Sequence, residues 1–464
     1  MSSSGNTYQL AIPSDPGIAL PGPYMLFAMD ANGTPSVSST ISITNVASQP
    51  PASNYGQAVY GDGPAAFWPL NDSGGTTAAD LSGNNDPANY LGGGFTYGVP
   101  SPVEGAGGDG VTLNGSTSQI VASQPITNPT TYSEEIWFKT TTTTGGLLTG
   151  FGTDPSGTAS ADRDRLVWMG NDGRIYFGVY TGTPVTIQSP GSYNDGLWHH
   201  VVATQGSDGM HLYVDGQQVA ADATTTGAQN YLGYWRVGAE SFAGWPNSPT
   251  SNYFAGTISD AAFYNSELTS SQVLTHFQAS CSSAWSCSDI GGPLPVGQQT
   301  LTGGQWSLLG GGGDIGGTAD SFHFVSQPLA ADGSISAHVT AQANTSASAK
   351  AGVMLRATTD PGSPYYAAFV TPGNGVVVQW RTAQGASTAQ IKTNGTIPVY
   401  LKVARTGTSF TAYTSSDGTT WTAVRRSTVT LANLSGPMLR GLAVTSHNQG
   451  TGDAVSMDTV ATAG

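Results

Sequence analysis

The sequence predicts an all-β fold, and three observations carry the prediction. Apolar side chains recur at the strand period of two in RIYFGVY (174–180), WHHVVAT (198–204), MHLYVDG (210–216), SISAHVTA (334–341), AGVMLRA (351–357), YYAAFVTP (365–372) and VVVQWRT (376–382). Turn formers bound these runs, and the 63 Gly and 27 Pro keep no fixed period of the collagen kind. Against so many strands stands one amphipathic stretch, SELTSSQVLTHF (266–277), where Leu268, Val273, Leu274 and Phe277 share a helical face.

The 464 residues leave room for about three domains of ~150 residues. Hydrophobic residues at 38% supply real cores, whereas charged residues at 9% fall well below the usual quarter. Ser, Thr, Asn and Gln provide the polarity instead, which suits a secreted, glycan-facing β protein. The net charge of -15, from 14 Lys and Arg against 29 Asp and Glu, argues against nucleic acid and anionic membrane surfaces, which bind through clustered cations. No run approaches the ~18 apolar residues of a membrane span, so no membrane insertion is expected. MSSSGNTYQLAIP lacks the charged and apolar regions of a signal peptide, and the chain reads as the mature form of an exported protein.

Breaks in composition at TNVASQPPASN (44–54) and SCSDIGGPLPVGQQ (286–299) divide the chain. The expected order is a short fragment at 1–47, a linker at 48–56, a module at 57–280, a second linker at 281–299 and a last module at 300–464. Cys281 and Cys287, in CSSAWSC, suit neither a zinc knuckle nor a CxxC redox motif. A local disulfide clipping the second linker is expected, and it requires an oxidising compartment.

In the middle module, His199 and His200 sit on one strand, so they point to opposite faces and cannot both reach one metal without a bulge. The strand is followed by HLYVDG and a reversal at Asp215-Gly216. That three-strand pattern resembles the central hairpins of laminin G-like modules of the concanavalin A-like lectin/glucanase superfamily. The resemblance extends through AAFWPLNDSGGTTAADLSGNN (65–85), YSEEIWFKT (132–140), RLVWMGNDGRIYFGVY (165–180), YWRVGAESFAGWPNSPTSNYFAG (234–256) and TISDAAFYNSELTSSQV (257–273). It implies a jelly-roll β-sandwich.

NTYQLAIPSDPGIALPGPYMLFAMDANGTPSVSSTISI (6–43) looks like the last strands of the immunoglobulin-like domain of galactose oxidase-type copper oxidases. That family's copper-binding histidine lies just upstream of the matching segment, and this chain has no His before His199. Oxidase activity is therefore not carried over. About 300–464 resembles a second concanavalin A-like sandwich often appended to secreted bacterial glycosidases, on GGDIGGTADSFHFVSQPL (312–329), KAGVMLRATTDPGSPYYAAFVTPGNGVVVQWRT (350–382) and AYTSSDGTTWTAV (412–424). The fold expected of the whole is two jelly-roll β-sandwiches in tandem behind an immunoglobulin-like fragment.

Glycosidases of this superfamily place carboxylates two apart on one strand, whereas Glu134 and Glu135 are adjacent and face opposite ways. No GxSxG elbow follows a strand, and GGGGDIGG (310–317) lacks the GK[ST] ending of a phosphate loop, so it reads as a flexible turn. Calcium is the expected cofactor, because hard cations want several oxygens and DLSGNND (80–86) supplies Asp80, Asn85 and Asp86. The resemblance adds Asp260 as the matching acid, although Ala261 stands where a Glu commonly follows. For sugar contact, Tyr234, Trp245, Asn247 and Tyr253 are the candidates. Aromatic faces stack on pyranose rings, and Trp245 lies in a loop while Trp235 reads as core. The expected function is non-catalytic binding of polysaccharide or cell-surface glycan in a secreted system. The alternatives are a structural or adhesive spacer and a fragment of a copper radical oxidase or glycoside hydrolase.

Overall fold

The computed structural model describes residues 2–4, 7–9, 22–26, 36, 39–43, 51, 53–103, 109–281 and 285–464. The chain forms two compact units, 1–49 and 50–464. In the first, Ser2–Ser4 pairs with Thr7–Gln9, and Gly22–Leu26 pairs with Ser39–Ile43, both antiparallel. Apart from Ser36, the rest of the expected immunoglobulin-like fragment, and the linker as far as residue 50, lie outside the described residues.

Two antiparallel β-sandwiches make up the second unit, as alternating strands with Gly-rich turns require. In the first sandwich a nine-stranded sheet, including Gly146–Gly152, Arg163–Met169, Arg174–Tyr180 and Leu232–Val237, faces an eight-stranded sheet. The latter is centred on Trp198–Gly206, Tyr132–Lys139 and Ala255–Tyr264. Ile136, Phe138, Phe177, Val201, Trp235 and Phe263 fill the space between. Alternation sends Trp137 and Val202 to the outer face, where two helices cover them.

Helix α1, Asn54–Gly61, is capped by the Ser53 hydroxyl, which accepts from the Gly56 amide at 2.9 Å. Helix α2, Ser270–Ala279, starts later than the periodicity suggests because Thr269 and Gln272 close a capping box. Tyr55, Val59 and Val273 from these helices pack on Trp137, Trp198 and Tyr264 of the sheet. The end of the stretch expected as a linker at 48–56 is therefore the start of a packed helix.

The second sandwich pairs an eight-stranded sheet with a seven-stranded one, whose order runs Ser286–Ile290, Phe322–Leu329, Met438–Thr445, Lys350–Arg356, Tyr365–Thr371, Gly375–Arg381, Ala389–Thr393. Ser286–Ile290 lies in the stretch expected as the second linker and Gln298–Thr302 begins at its end, and each is a sheet strand. Cys281 and Cys287 form a disulfide joining the chain just after α2 to that first strand. Among the described residues no helix is long and apolar enough to cross a membrane.

Candidate functional site

His199 and His200 leave their strand on opposite faces and meet different carboxylates. His199 holds Asp215 through Nδ1 at 2.8 Å and Asp195 through Nε2 at 3.1 Å. His200 Nε2 lies 2.7 Å from Glu135 Oε1. Glu135 also accepts from the hydroxyls of Tyr55 and Tyr264, each at 2.8 Å, and faces His276 Nδ1 at 3.0 Å. His276 Nε2 then reaches Asp62 at 2.9 Å. Burial alone would raise the Glu135 pKa, but the charge of His276 and the imidazole hydrogen bonds hold it well below the usual range. Burial alone would lower His276, and Glu135 with Asp62 outweighs it, pushing the pKa up to about 9. The network joins α1 and α2 to the sheet, and Glu135 is wholly buried. Glu134 faces the other way and is also buried, with burial pushing its pKa well up. Neither acid is open to a sugar.

Trp245 departs from the sequence expectation of an exposed ring. It is 8% exposed and packs edge-on against Trp168 at 5.9 Å, in a cluster with Leu166, Tyr176 and Phe242. Its loop is tied down from several sides. Ser248 Oγ donates to the Trp245 carbonyl at 2.6 Å, Trp168 Nε1 donates to Asn247 O at 3.3 Å, and buried Glu240 pairs with Arg236 at 2.7 Å. Asn247 is exposed, and Tyr234 and Tyr253 are half-buried. The loop thus offers scattered polar groups and no open aromatic platform.

The expected calcium ligands are already committed as acceptors. Asp80 Oδ1 accepts the amides of Phe67 and Ser82, both at 2.9 Å, while Oδ2 accepts the Ser82 hydroxyl at 2.7 Å and the Asp86 amide at 2.9 Å. Those four bonds use every lone-pair site of the carboxylate. Burial, then the charge of Asp80, push the Asp86 pKa up to about 6. Asp260 is bonded to the Ser259 hydroxyl, and burial pushes its pKa up to about 8, so it is largely protonated at neutral pH. Asn85 is exposed at a positive φ of 57°. With both Asp80 oxygens saturated by amides and a hydroxyl, this loop fits a calcium cage only if those donors give way to the ion.

A site the sequence reading missed lies on the outer face of the seven-stranded sheet. Val376 and Val378 point into the core, so Val377 and Gln379 point outward, and their cross-strand partners are Lys392 and Gln390. Lys350 and Thr371, on neighbouring strands, face the same way. Together with the loop at 314–317 they bound a polar cleft of about 290 Å³. Gln379 is 4% exposed, and its Oε1 has no hydrogen-bond partner among the described residues, while Nε2 donates to Gln390 at 3.2 Å.

The wall of this cleft is the stretch expected as a flexible turn. Ile315 packs with Phe322, Phe324, Met354 and Phe369 on the sheet face. Asp320, buried, accepts from Arg356 at 3.0 Å and from both terminal nitrogens of Arg381 at 2.7 Å. Arg381 also donates to Gly316 O at 3.0 Å, and the Thr388 hydroxyl donates to Gly317 O at 3.0 Å. The only signal in the sequence was an aspartate and two arginines far apart, with no local pattern to join them.

Comparison with known proteins gives partial matches. The model of the concanavalin A-like lectin/glucanases superfamily matches residues 109–274, and that of the galactose oxidase-like early set domain matches residues 1–43. A galactose oxidase of Gibberella zeae is 55% identical over 42 residues, 9% of this chain, and this chain spans 6% of that protein's length. Among solved structures, domain 4 of AbnA, a GH43 extracellular arabinanase from Geobacillus stearothermophilus in complex with arabinotriose, is 20% identical. It covers 46% of this chain and 98% of its own, with a TM-score of 0.35. Trypanosoma rangeli sialidase is 17% identical over 46% of this chain and 32% of its own, with a TM-score of 0.33. Likeness of that strength leaves ligand and activity open. Residues 109–274 are thus a concanavalin A-like module, and residues 1–43 match the galactose oxidase-like early set domain.

Proposed function

We propose that the protein is an extracellular, non-catalytic binder of polysaccharide or cell-surface glycan, and that the polar cleft of the second sandwich is its sugar site. The observation that carries this reading is the cleft itself. Amides, hydroxyls and two ammonium groups converge over the sheet, and Gln379 Oε1 lies buried with no hydrogen-bond partner among the described residues. A buried acceptor without a partner costs roughly 1–3 kcal/mol, which a sugar hydroxyl donating into it would recover. The match to a superfamily of lectins and glucanases covers 109–274, in the first sandwich, and supports sugar recognition by the protein without bearing on the cleft itself. Non-catalytic binding is favoured because Glu134 and Glu135 of the middle module are both buried, with Glu135 engaged by two tyrosines and two histidines.

The test incubates the full chain with a panel of soluble and insoluble polysaccharides and measures retention together with newly released reducing ends. Retention without release is the expected result. Release of reducing ends would replace binding with hydrolysis, and failure to be retained by any polysaccharide would leave the spacer reading in its place.

A further inference from the structure

Resting on that reading, we propose that the cleft selects an anionic sugar unit, one bearing a uronate carboxylate or a sulfate ester. The chain has only four lysines, and Lys350 and Lys392 both line this cleft. Lys350 is buried and already bound to Asp314, the one acid of the lining, and to Ile315 O at 3.0 Å. His447 also approaches Asp314, at 3.7 Å. Among the described residues Lys392 pairs with no acid. It is exposed, and its ammonium donates to the neutral Asn374 Oδ1 at 2.8 Å.

The cleft therefore holds two ammonium groups against one carboxylate, a local excess of positive charge on a chain of net charge -15. Screening confines exposed charges to about 8–10 Å at physiological salt, so the groups lining the cleft, not the distant acids, set the potential a bound sugar meets. Composition points the same way. The lining contains no Trp, Tyr or Phe, so the stacking that holds neutral pyranose faces is missing, and hydrogen bonds with charge must carry recognition.

Isothermal titration of the full chain separates the possibilities with three probes of equal length: an oligogalacturonate, a sulfated galactan oligosaccharide and a neutral galactan oligosaccharide. At least one anionic probe is expected to bind roughly two- to fivefold more tightly than the neutral one, the range for a solvent-exposed ion pair. The margin should vanish in Lys392→Gln and in molar salt. Lys392 is exposed, so this variant keeps the parent's fold, and its melting temperature checks that. The two anionic arms tell carboxylate from sulfate. Equal binding of all three probes, with Lys392→Gln silent and Gln379→Ala weakening each, overturns the anionic preference and leaves the glycan site standing. No binding of any probe to the parent overturns both.

Discussion

Glu135 shows what a fully buried carboxylate demands. Each oxygen needs donors, and the chain brings them from α1, α2 and two strands besides its own. Linkage turns this into a pH profile. The His276 pKa lies at about 9 in the folded protein, against about 6.5 unfolded. Its contribution is complete below about pH 6.5 and is lost as the pH climbs through 9. Glu135, depressed when folded, contributes above about pH 4.3 and loses that contribution as the pH falls. The pair should therefore contribute a plateau near neutrality and a decline towards pH 9 and beyond to the thermal melts. A similar limb comes from His199, whose pKa burial would lower but Asp215 and Asp195 push up to about 9. Glu135→Gln should shrink the alkaline decline and cost about 3 kcal/mol or more at neutral pH, because it leaves buried His276 with only Asp62. An alkaline limb identical to the parent's would remove His276 from the account. Trp245 makes a second case at this scale. Packed against Trp168 and Phe242, it should cost roughly 3 kcal/mol on substitution by Ala, as a core aromatic does. A Trp245→Ala protein that melts like the parent would place the ring back at the surface.

At the scale of elements, two loops show how the chain braces its turns. Asp80 ties the loop at 80–86 to Phe67 through one hydrogen bond and closes the loop on itself through three more, to Ser82 and Asp86. We predict that Asp80→Ala lowers the melting temperature, by the ~1–3 kcal/mol of amides left unsatisfied, while chelator leaves the parent's melt unchanged. A chelator-sensitive melt abolished by Asp80→Ala would restore calcium to this loop. In the glycine-rich loop, Gly312 takes φ 108° and passes so close to Ser321 that an added Cβ would lie 2.1 Å from its carbonyl oxygen. Gly312 thus permits close backbone packing beside the seven-stranded sheet. Strands such as Trp198–Gly206 were legible because period-two alternation is local to the chain. Helix α1 was hidden by its short length and by the prolines before it, although Tyr55 and Val59 already stood four residues apart. The burial of Trp245 and the clamp of Asp320 by Arg356 and Arg381 were not legible, since each depends on residues tens of positions away.

Across the whole molecule, the tandem of sandwiches could be read in advance, but the polar cleft of the second sandwich could not. Sequence resemblance drew attention to the middle module, whose aromatic loop is packed and whose acids are buried. The cleft arises instead where four strands of the second sandwich meet the loop at 314–317 and neighbouring loops, with Gln379 and Gln390 paired across the sheet. The most direct test of this account is hydrogen–deuterium exchange on the full chain with and without a saturating polysaccharide fragment identified by the retention assay. The account predicts slowed exchange at 314–317, 371–379 and 388–392, with the loop at 240–253 unchanged. Protection confined to 240–253, with the second sandwich unaffected, would contradict it.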